Sequence, residues 1–509
     1  MSGWNVADVW DEIARLQPEH PAVVRGGDER SWARFEQDAA SVAAGLRAAR
    51  LSDRAKVAIY LHNSIEYLEV LYGAFKGSYV PVNTNYRYVE AELVQLWHSA
   101  DVEVVVFHGA FAATVEQIRA EVPAVRLWWW VDDGSGPCPS WAVPFGTGVG
   151  AEGEAFPPVA PIQRSGDDLL LLYTGGTTGL PRGVMWRQDD LFVVINRIAS
   201  VPYPDEPDLG VVGDVVASID RSRTRVFPAA PLMHGTAVFT AFGALDAGGT
   251  VVLAEGVRFD PVELLDTIAR DRVSLVAIVG DAFARPILEH LEVEPDRWDL
   301  SSLQVMVSSG VMWSQPVKDA LLALVPGLLC VDTFGSSEAI GVARSLSVAG
   351  RSTRTGGFEL GPGSRILRDD GTPVAPGSGE IGLVATSGRG PVGYYKDADA
   401  TARTFRVIDG TRWITAGDQA RVEADGTVQL LGRGSGCINT GGEKVFPEEV
   451  EEALKLQAGV RDAVVVGVPD ERFGEVVAAV VEAVPGAVVS GDGLHAQLKE
   501  HLAGYKVPR

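Results

Sequence analysis

The chain has 509 residues, a length that predicts several structural units. Its hydrophobic fraction of 46% and charged fraction of 22% are typical of an ordinary soluble globular protein. The 44 basic and 67 acidic side chains give a net charge of −23, which repels polyanions and argues against nucleic acid as a partner. Any phosphate binding must therefore be local, through backbone amides, a metal ion and a few placed cations.

In the first third of the chain, apolar strand-like runs alternate with helical spacing of apolar residues. The predicted strands are 56–61, 79–82 and 102–107, and the predicted helices are 35–49, 64–75 and 89–98. A segment rich in Gly, Pro and Ser at 132–166 is interpreted as a connection. This alternation predicts a doubly wound α/β layer structure.

The same rhythm recurs after residue 167, which predicts a second α/β unit. Its predicted strands are 169–173, 224–227, 250–253, 275–279 and 303–307, with helices beginning near 188 and at 261–271 and 315–324. From 357 onward, dense Gly and Pro with short strands at 380–384 and 427–431 indicate a small β-rich subdomain. After residue 432, a helix at 447–456 and strands at 460–466 and 476–483 predict a small α+β lobe.

The predicted fold class is therefore α/β. A large N-terminal domain at 1–432 comprises two doubly wound α/β subdomains plus the β-rich subdomain, and a C-terminal lobe covers 437–509. Three glycines within 432–436 give the backbone the freedom that a hinge at 433–436 needs, although a tight β turn is an equally good interpretation of the local sequence.

The sequence shows no targeting signal and no cysteine spacing typical of a metal site or a disulfide framework. Cys138, Cys330 and Cys437 lie far apart, with neither metal-ligand spacing nor a disulfide framework, which favours a reducing cytoplasm. No signal peptide opens the chain, and the apolar stretch at 320–331 is shorter than the roughly 20 residues that a membrane span requires. We predict a cytoplasmic protein without a transmembrane segment, with peripheral membrane contact and a homodimer left open.

A run rich in glycine and threonine, Tyr-Thr-Gly-Gly-Thr-Thr-Gly at 173–179, follows a predicted strand and precedes a predicted helix. Glycines let the backbone approach an anion, while amides and hydroxyls donate hydrogen bonds. The usual P-loop is excluded because no Gly-Lys-[Ser/Thr] follows at the required spacing. Alone, the run is equally compatible with a plain turn. The candidate phosphate ligands are Thr174, Gly175, Gly176, Thr177, Thr178, Gly179 and Arg182.

Three further residues are candidates for chemistry. His234 lies in Pro-Leu-Met-His-Gly, Glu338 ends Asp-Thr-Phe-Gly-Ser-Ser-Glu, and Asp418 ends Trp-Ile-Thr-Ala-Gly-Asp. Alone, each has a structural interpretation, namely a core histidine, an acid near a helix N-cap and a turn aspartate. Functionally, Glu338 beside hydroxyls could hold Mg²⁺ and Asp418 could accept both ribose hydroxyls.

Taken in order, these motifs resemble the adenylate-forming superfamily of acyl-CoA synthetases, luciferases and peptide-synthetase adenylation domains. The family signature Tyr-Thr-Ser-Gly-Thr-Thr-Gly-x-Pro-Lys-Gly is similar to the first motif, Tyr-Gly-x-Thr-Glu to the one that ends at Glu338, and Trp-Tyr-x-Thr-Gly-Asp to the one that ends at Asp418. The resemblance covers nearly the whole chain. Its matching segments are 173–183, 334–338, 413–418, 432–435, 441–451 and 466–470.

The resemblance implies ATP, Mg²⁺ and coenzyme A as ligands, with a carboxylic acid as substrate. Segment 174–182 would hold the phosphates, Glu338 the metal ion, Ser337 the α-phosphate, and His234 would lie at the mouth of the acyl pocket. The implied adenine contacts are Ser309, Gly310, Val311, Asp332, Thr333 and Phe334, and the implied ribose contacts are Asp418 and Arg433. Ser435 would be the hinge residue, and the implied thiol channel is Gly441, Gly442, Glu443 and Lys444.

The chain departs from the family pattern at several positions. Gly175 replaces a serine, Arg182 a lysine and Phe334 a tyrosine, while Ser435 and Asn439 stand where other residues are common. Arginine keeps the positive charge of lysine but changes its geometry.

The last five residues, Tyr-Lys-Val-Pro-Arg at 505–509, resemble the opening of the family's final motif, in which a lysine needed for adenylation follows further on. The sequence ends first, either because a tail was removed or because the homologue is naturally truncated. We expect slow adenylation from the chain as given, with less effect on thioester formation. Pyrophosphate release with and without an appended tail tests this expectation, which equal rates would contradict.

Run 440–447 resembles acyl-CoA synthetases, and 183–188 a subgroup acting on long-chain fatty or steroid side-chain acids. The leading hypothesis is an ATP-dependent acid-thiol ligase that forms an acyl-AMP, releases pyrophosphate and transfers the acyl group to coenzyme A. The alternatives are a fatty acyl-AMP ligase that delivers to a carrier protein and a catalytically impaired adenylate-binding homologue. Apolar pocket candidates, equally at home in a core, are Trp186, Phe239, Val311 and Met312.

Overall fold

The computed structural model of the chain describes most of its length. The described residues are 3–146, 163–174, 181–197, 202–219, 224–311, 313–351, 355–433, 436–440, 443–470, 473–499 and 502–509. For Arg433 and Lys444 the description covers the backbone alone. Within these ranges, no helix combines the length and the apolar composition that crossing a bilayer requires.

The first α/β unit is built on a sheet of parallel strands with one antiparallel addition. Up to residue 187 the elements are α1 (Val6–Leu16), β1 (Pro21–Arg25), β2 (Asp28–Ser31), α2 (Trp32–Ala48), β3 (Lys56–Tyr60), α3 (Ile65–Lys76), β4 (Val80–Asn83), α4 (Glu90–Ser99), β5 (Val102–His108), α5 (Ala112–Ile118), β6 (Leu127–Val131), β7 (Val143–Pro144), β8 (Leu169–Thr174) and β9 (Arg182–Arg187). Strands β3 to β9 pair in the order β9-β8-β4-β3-β5-β6-β7, and only β8 and β9 run antiparallel.

The second α/β unit has a longer sheet. Its elements are α6 (Gln188–Asn196), α7 (Val212–Ser218), β10 (Arg225–Pro228), α8 (Gly235–Asp246), β11 (Thr250–Leu253), α9 (Pro261–Asp271), β12 (Leu275–Ile278), α10 (Gly280–Val293), β13 (Val305–Ser309), α11 (Gln315–Leu324), β14 (Leu329–Ser336) and β15 (Ala339–Ser347). The strand order is β2-β1-β11-β10-β12-β13-β14-β15. The six strands β1, β11, β10, β12, β13 and β14 are parallel to one another, and β2 and β15 run antiparallel at the two ends. The hairpin β1–β2, which was not predicted, therefore belongs to the second sheet although it precedes the first.

Helices α1, α2 and α3 lie between the two sheets and share one core with α8. Trp10, Trp32, Phe75 and Phe242 are fully or almost fully buried there. The burial of these large aromatic side chains explains why the two units form one body, since each aromatic residue removes a large apolar area from water.

The β-rich subdomain continues the second sheet beyond β15. Its elements are β16 (Gly357–Leu360), β17 (Ser364–Leu367), β18 (Ile381–Ser387), β19 (Gly393–Tyr394), α12 (Ala398–Thr404), β20 (Phe405–Ile408), β21 (Thr411–Ile414), β22 (Asp418–Val422) and β23 (Val428–Arg433). The strands run antiparallel in the order β16-β23-β22-β18-β21-β20, with β17 on β18. The short strand β19 instead pairs with β9 at the edge of the first sheet.

The C-terminal lobe has its own sheet and core, as predicted. Its elements are β24 (Ile438–Thr440), β25 (Glu443–Val445), α13 (Pro447–Lys455), β26 (Val460–Asp470), β27 (Gly474–Ala483) and α14 (Gly491–Leu498). The strand order is β25-β24-β27-β26, all antiparallel. Val450, Leu454, Val465, Val477 and Leu498 form its core.

The α/β fold class is confirmed, and α9, α11 and β11 match their predicted ranges residue for residue. The helix predicted to begin near 188 is confirmed, since α6 begins at Gln188. The sequence missed strand β9, which precedes this helix and pairs antiparallel with β8, with Thr174 opposite Arg182. Buried Val184 and Trp186 alternate with half-buried Met185 along β9, which is the period of a strand. A helix N-terminus therefore contributes no phosphate site at this position.

Candidate active site

A cavity of about 1040 Å³ opens at the carboxyl ends of β8, β13 and β14, beside the first turn of α8. This is the edge of an α/β sheet where ligands usually bind. Sequence-predicted residues from distant segments meet in its wall. They are Thr174, Arg182, His234, Ser309, Gly310, Val311, Thr333, Phe334, Ser337 and Glu338.

The predicted ribose contacts Asp418 and Arg433 lie beside this cavity, and the predicted adenine contact Asp332 lies behind its wall. Asp418, the first residue of β22, is opposite Arg433 in the strand pairing and borders a smaller hollow that Phe334 shares. Asp332 does not line either space. It is buried 3.7 Å from Lys318 Nζ, and burial raises the pKa of Asp332 to about 6 against the opposing charge of Lys318.

Part of the prediction lies outside the described residues. This part comprises Gly175, Gly176, Thr177, Thr178, Gly179, Met312, Ser435, Gly441 and Gly442. Glu443 is described and is exposed at the start of β25, in the C-terminal lobe. The proposed hinge and thiol channel therefore stay predictions.

Glu338 is held by a residue that sequence reasoning missed. It lies in the turn between β14 and β15, not near a helix N-cap, and is 9% exposed. Tyr394 Oη donates a hydrogen bond to Glu338 Oε1 at 2.6 Å. Burial, and then the charge of Glu338, raise the pKa of Tyr394, so its hydroxyl keeps its proton at neutral pH. Tyr394 stands beside a glycine in Gly-Tyr-Tyr-Lys-Asp at 393–397, but nothing local in that run reveals the pairing with β9.

Arg182 joins the same group. Its guanidinium lies over the Tyr394 ring at 5.7 Å, and its Nε donates to Asp397 Oδ2 at 3.1 Å. Both side chains of the ion pair are about one third exposed, so the pair is readily exchanged for another anion. A positive charge is therefore placed at the polar end of the cavity next to Glu338.

The turn that carries Glu338 is also supported from behind. Trp186 is fully buried, and its Nε1 donates to the backbone oxygen of Ser337 at 2.8 Å. Of the apolar pocket candidates, Phe239 and Val311 line the cavity, whereas Trp186 lies behind its wall, against the Phe239 ring and the Ser337 backbone oxygen.

Two asparagines, the partly buried Asn63 and the buried Asn83, fix the segment before His234. Asn63 Oδ1 accepts from the Leu232 amide at 2.7 Å. Asn83 Nδ2 donates to the backbone oxygens of Met233 at 2.7 Å and Tyr173 at 2.9 Å, and Asn83 Oδ1 accepts from the Tyr173 amide at 2.5 Å. The end of β8 and the histidine segment are thus held together by one side chain.

His234 occupies the N-cap position of α8 and keeps one face open to the cavity. Surrounding protein, and then the positive charge of Arg87, lower the pKa of His234 below its ordinary 6.5. A lowered pKa favours the neutral ring, so the neutral form of His234 predominates at pH 7. A neutral imidazole can donate one hydrogen bond and accept another.

Beyond His234 the cavity becomes apolar and follows α8, a part we call the tunnel. Its floor is one face of α8, with residues spaced three or four apart, namely Thr236, Thr240, Gly243, Ala244 and Ala247. Its other walls are Ile195, Asn196, Tyr203, Val215, Ile219, Val226, Leu275, Val279 and Val307. From His234 to Ala247 the helix rises by roughly 20 Å, which gives the length of the tunnel.

Comparison with known proteins identifies the class. The family model of the AMP-binding enzyme matches residues 10–395, and that of the AMP-binding enzyme C-terminal domain matches residues 449–509. The chain therefore belongs to the AMP-binding enzyme family.

Among its relatives is the 3-oxocholest-4-en-26-oate–CoA ligase of Rhodococcus rhodochrous, 40% identical, with 99% of this chain and 91% of the relative covered. A second is the medium/long-chain-fatty-acid–CoA/3-oxocholest-4-en-26-oate–CoA ligase of Mycolicibacterium smegmatis, 38% identical, with 99% and 92% covered. The crystal structure of the anthranilate CoA ligase AuaEII with anthranoyl-AMP shares the fold, with a TM-score of 0.83 at 20% identity and 100% and 93% coverage.

Replacing Asn83 with alanine should destabilise the protein, because three hydrogen bonds to backbone groups of Tyr173 and Met233 are lost. We expect a decrease of about 2–4 kcal/mol in the free energy of unfolding, measured by urea titration of tryptophan fluorescence. Asn85→Ala is the matched control, since Asn85 Oδ1 accepts from the nearby Arg87 amide in a turn and bridges no distant segments. Equal stability of both variants would contradict the bridging role of Asn83.

Proposed function

We propose that the chain is an ATP-dependent acyl-CoA synthetase. It activates a fatty or steroid side-chain acid as an acyl adenylate and then transfers the acyl group to the thiol of coenzyme A. The observation that carries the proposal is one continuous cavity, in which a polar end with Glu338, Ser337 and Arg182 passes His234 and opens into the apolar tunnel. The names of the relatives, which are CoA ligases of such acids, support the substrate class.

The polar end would bind ATP. Thr174, the run 175–179 and Arg182 would hold the β- and γ-phosphates, with Arg182 exchanging Asp397 for phosphate oxygens. Ser309, Gly310 and Val311, with Thr333 and Phe334, would enclose adenine, and Asp418 beside Arg433 would accept the ribose hydroxyls. In a protein of net charge −23, a few placed cations must supply this attraction.

The donor set at this end is compatible with Mg²⁺. Glu338 offers a carboxylate, and Thr174 and Ser337 offer hydroxyl oxygens in the same wall. Mg²⁺ usually takes one or two carboxylates and fills its other positions with phosphates and water. In the described part of the chain no cluster of three acidic, histidine or cysteine side chains forms a metal site, so ATP itself would supply further ligands. When bound, Mg²⁺ would offset negative charge on the phosphates.

The chemistry follows from the order of groups along the cavity. A carboxylate oxygen of the acid attacks the α-phosphorus of ATP, and the bond to pyrophosphate breaks. The thiol sulfur of coenzyme A then attacks the acyl carbon, and AMP leaves. Neutral His234 lies between the polar end and the tunnel, where its ring N–H can donate to an oxygen of the acid without adding charge. The C-terminal lobe, which carries Glu443 and Lys444, would shape the thiol approach.

The direct test combines purified protein, ATP, Mg²⁺ and coenzyme A with long-chain fatty acids or a steroid side-chain acid. We expect pyrophosphate release and a CoA thioester identified by mass spectrometry. Transfer to the phosphopantetheine of a carrier protein, with no transfer to coenzyme A, would identify an acyl-AMP ligase instead. If no acyl adenylate forms with any acid, the proposal is wrong and the protein only binds adenylates.

Tyr394→Phe should lower the rate of acyl-adenylate formation by about tenfold, since it removes a hydrogen bond to a charged group worth about 1.4 kcal/mol or more. The rate of pyrophosphate release at a saturating concentration of the acid substrate measures the rate of acyl-adenylate formation. Tyr395→Phe is the matched control. Tyr395 Oη donates a hydrogen bond to Asp101 Oδ2 at 2.8 Å, and neither residue lines the cavity. A rate unchanged by Tyr394→Phe would show that Glu338 needs no positioning by Tyr394.

Gly243→Leu should shorten the usable tunnel. An added Cβ at Gly243 lies 3.5 Å from Ile195 Cγ2, so alanine fits, whereas a larger side chain must project into the tunnel. We expect kcat/KM for long acids to fall by at least about tenfold while that for short acids changes by less than about twofold. Gly243→Ala is the control and should keep the chain-length profile. A uniform loss for all acids would contradict a tunnel along α8.

A further inference from the structure

One polar side chain in the wall of the tunnel has an unused acceptor. Asn196, the last residue of α6, lines the tunnel and is 2% exposed. Its Nδ2 donates to the backbone oxygen of Phe192 at 2.9 Å and to Asp246 Oδ2 at 2.8 Å. Both hydrogens of the amide are therefore used. Its Oδ1 accepts no hydrogen bond from any residue within the described ranges.

The orientation of this amide is determined by what lies behind it. Asp246 is buried on α8, and its Oδ1 accepts from Trp10 Nε1 at 2.8 Å. The Phe192 carbonyl has no hydrogen to donate, and both Asp246 oxygens already accept hydrogen bonds. Rotating the Asn196 amide by half a turn would lose both of its hydrogen bonds and place oxygen against oxygen. Among the described residues none donates to the Asn196 carbonyl oxygen, and Asn196 lines the tunnel.

We propose that the Asn196 carbonyl oxygen is a subsite for a hydroxyl group on the acid substrate, at the end remote from the carboxylate. This inference rests on the proposed function of the cavity. A carbonyl oxygen can only accept a hydrogen bond, so it pairs with a hydroxyl but not with a keto oxygen or a methylene group. The subsite thus selects hydroxy acids over oxo acids and unsubstituted acids of the same length.

Positions along α8 locate the hydroxyl. Gly243 and Asp246, the α8 residues nearest to α6 here, follow His234 by nine and twelve residues. At 1.5 Å per residue, the subsite lies roughly 14 to 18 Å from the mouth where the carboxylate is activated. Hydroxyl groups near the far end of a long fatty acid or on the ring system of a steroid acid reach such a distance.

Other polar side chains line the same cavity and compete as the explanation, among them Ser218, Thr224, Thr236, Thr240 and Gln304. Thr240 Oγ1 donates to the Thr236 backbone oxygen at 2.6 Å, so its hydrogen is used within the helix. Gln304 is exposed and directly precedes β13, at the opposite end of the strand from Ser309. Thr240→Val and Gln304→Met therefore serve as matched controls for Asn196→Leu, which keeps the size of the side chain and removes the amide.

The experiment measures kcat/KM for three acids at each of several chain lengths, namely the ω-hydroxy, the ω-oxo and the unsubstituted fatty acid. For the unmodified protein we expect the hydroxy acid to exceed the other two by about three- to tenfold at lengths that place the hydroxyl near Asn196. Asn196→Leu should bring this ratio to about one, whereas Thr240→Val and Gln304→Met should leave it unchanged. The unsubstituted acid is the internal reference for any general loss of activity in a variant.

A ratio near one at every length in the unmodified protein would overturn the subsite. A ratio that survives Asn196→Leu but is lost with Thr240→Val or Gln304→Met would overturn it equally. If no acid is activated, the proposed function fails first. The shift in thermal unfolding midpoint with each acid then decides the subsite, with a larger shift for the hydroxy acid supporting it and equal shifts refuting it.

Discussion

The buried amide of Asn83 is the constraint on which the candidate site depends. Asn83 is the last residue of β4 in the first sheet, yet its side chain bonds the end of β8 and the segment before His234, which belongs to the second unit. A buried polar group is costly when unpaired, so the three partners must stay in register for any of them to be satisfied. The distance between Thr174, where the proposed phosphate-binding run begins, and the entrance of the tunnel at His234 is thereby set by the interior of the protein.

The distribution of charge around the candidate site is a second constraint. The protein is strongly acidic, yet its candidate substrates, ATP, a carboxylate and coenzyme A, are all anions. In the candidate site, individual cations with partly exposed partners provide the local positive charge. Arg182 is paired with a carboxylate that is about one third exposed and that phosphate could displace, and desolvation together with the charge of Arg87 lowers the pKa of His234. A surrounding negative potential would also favour the departure of anionic products once these local contacts are broken.

Periodicity in the sequence was sufficient for most of the fold. Continuous apolar runs predicted the parallel strands β3, β5 and β11, and helical spacing predicted α9 and α11, because burial on one or both faces leaves those patterns. It failed at β9, where a glycine-rich run before a strand looks the same as one before a helix. It also failed for the hairpin β1–β2, whose partner β11 lies far away in the chain.

For the site, motifs predicted the residues of the polar end, since their order along the chain carries the signal. Tyr394 and Asn196 could not be found that way. Tyr394 reaches Glu338 only because β19 leaves its own subdomain to pair with β9, and Asn196 matters only through a carboxylate fifty residues later. Each is a long-range contact between segments with no distinctive local composition. Three-dimensional pairing, and not residue type, gives them their importance.

The placement of β1 has a consequence for biosynthesis. Val23 pairs with Val251, so an early strand waits for a partner that emerges roughly 230 residues later. At the usual pace of translation that interval lasts between roughly ten and fifty seconds. During it, the first sheet can close through β6 while α1, α2 and the hairpin β1–β2 still present an unpaired edge and apolar faces. The nascent chain thus passes through a stage in which part of the eventual central core has been synthesised while the strand that covers it, β11, has not.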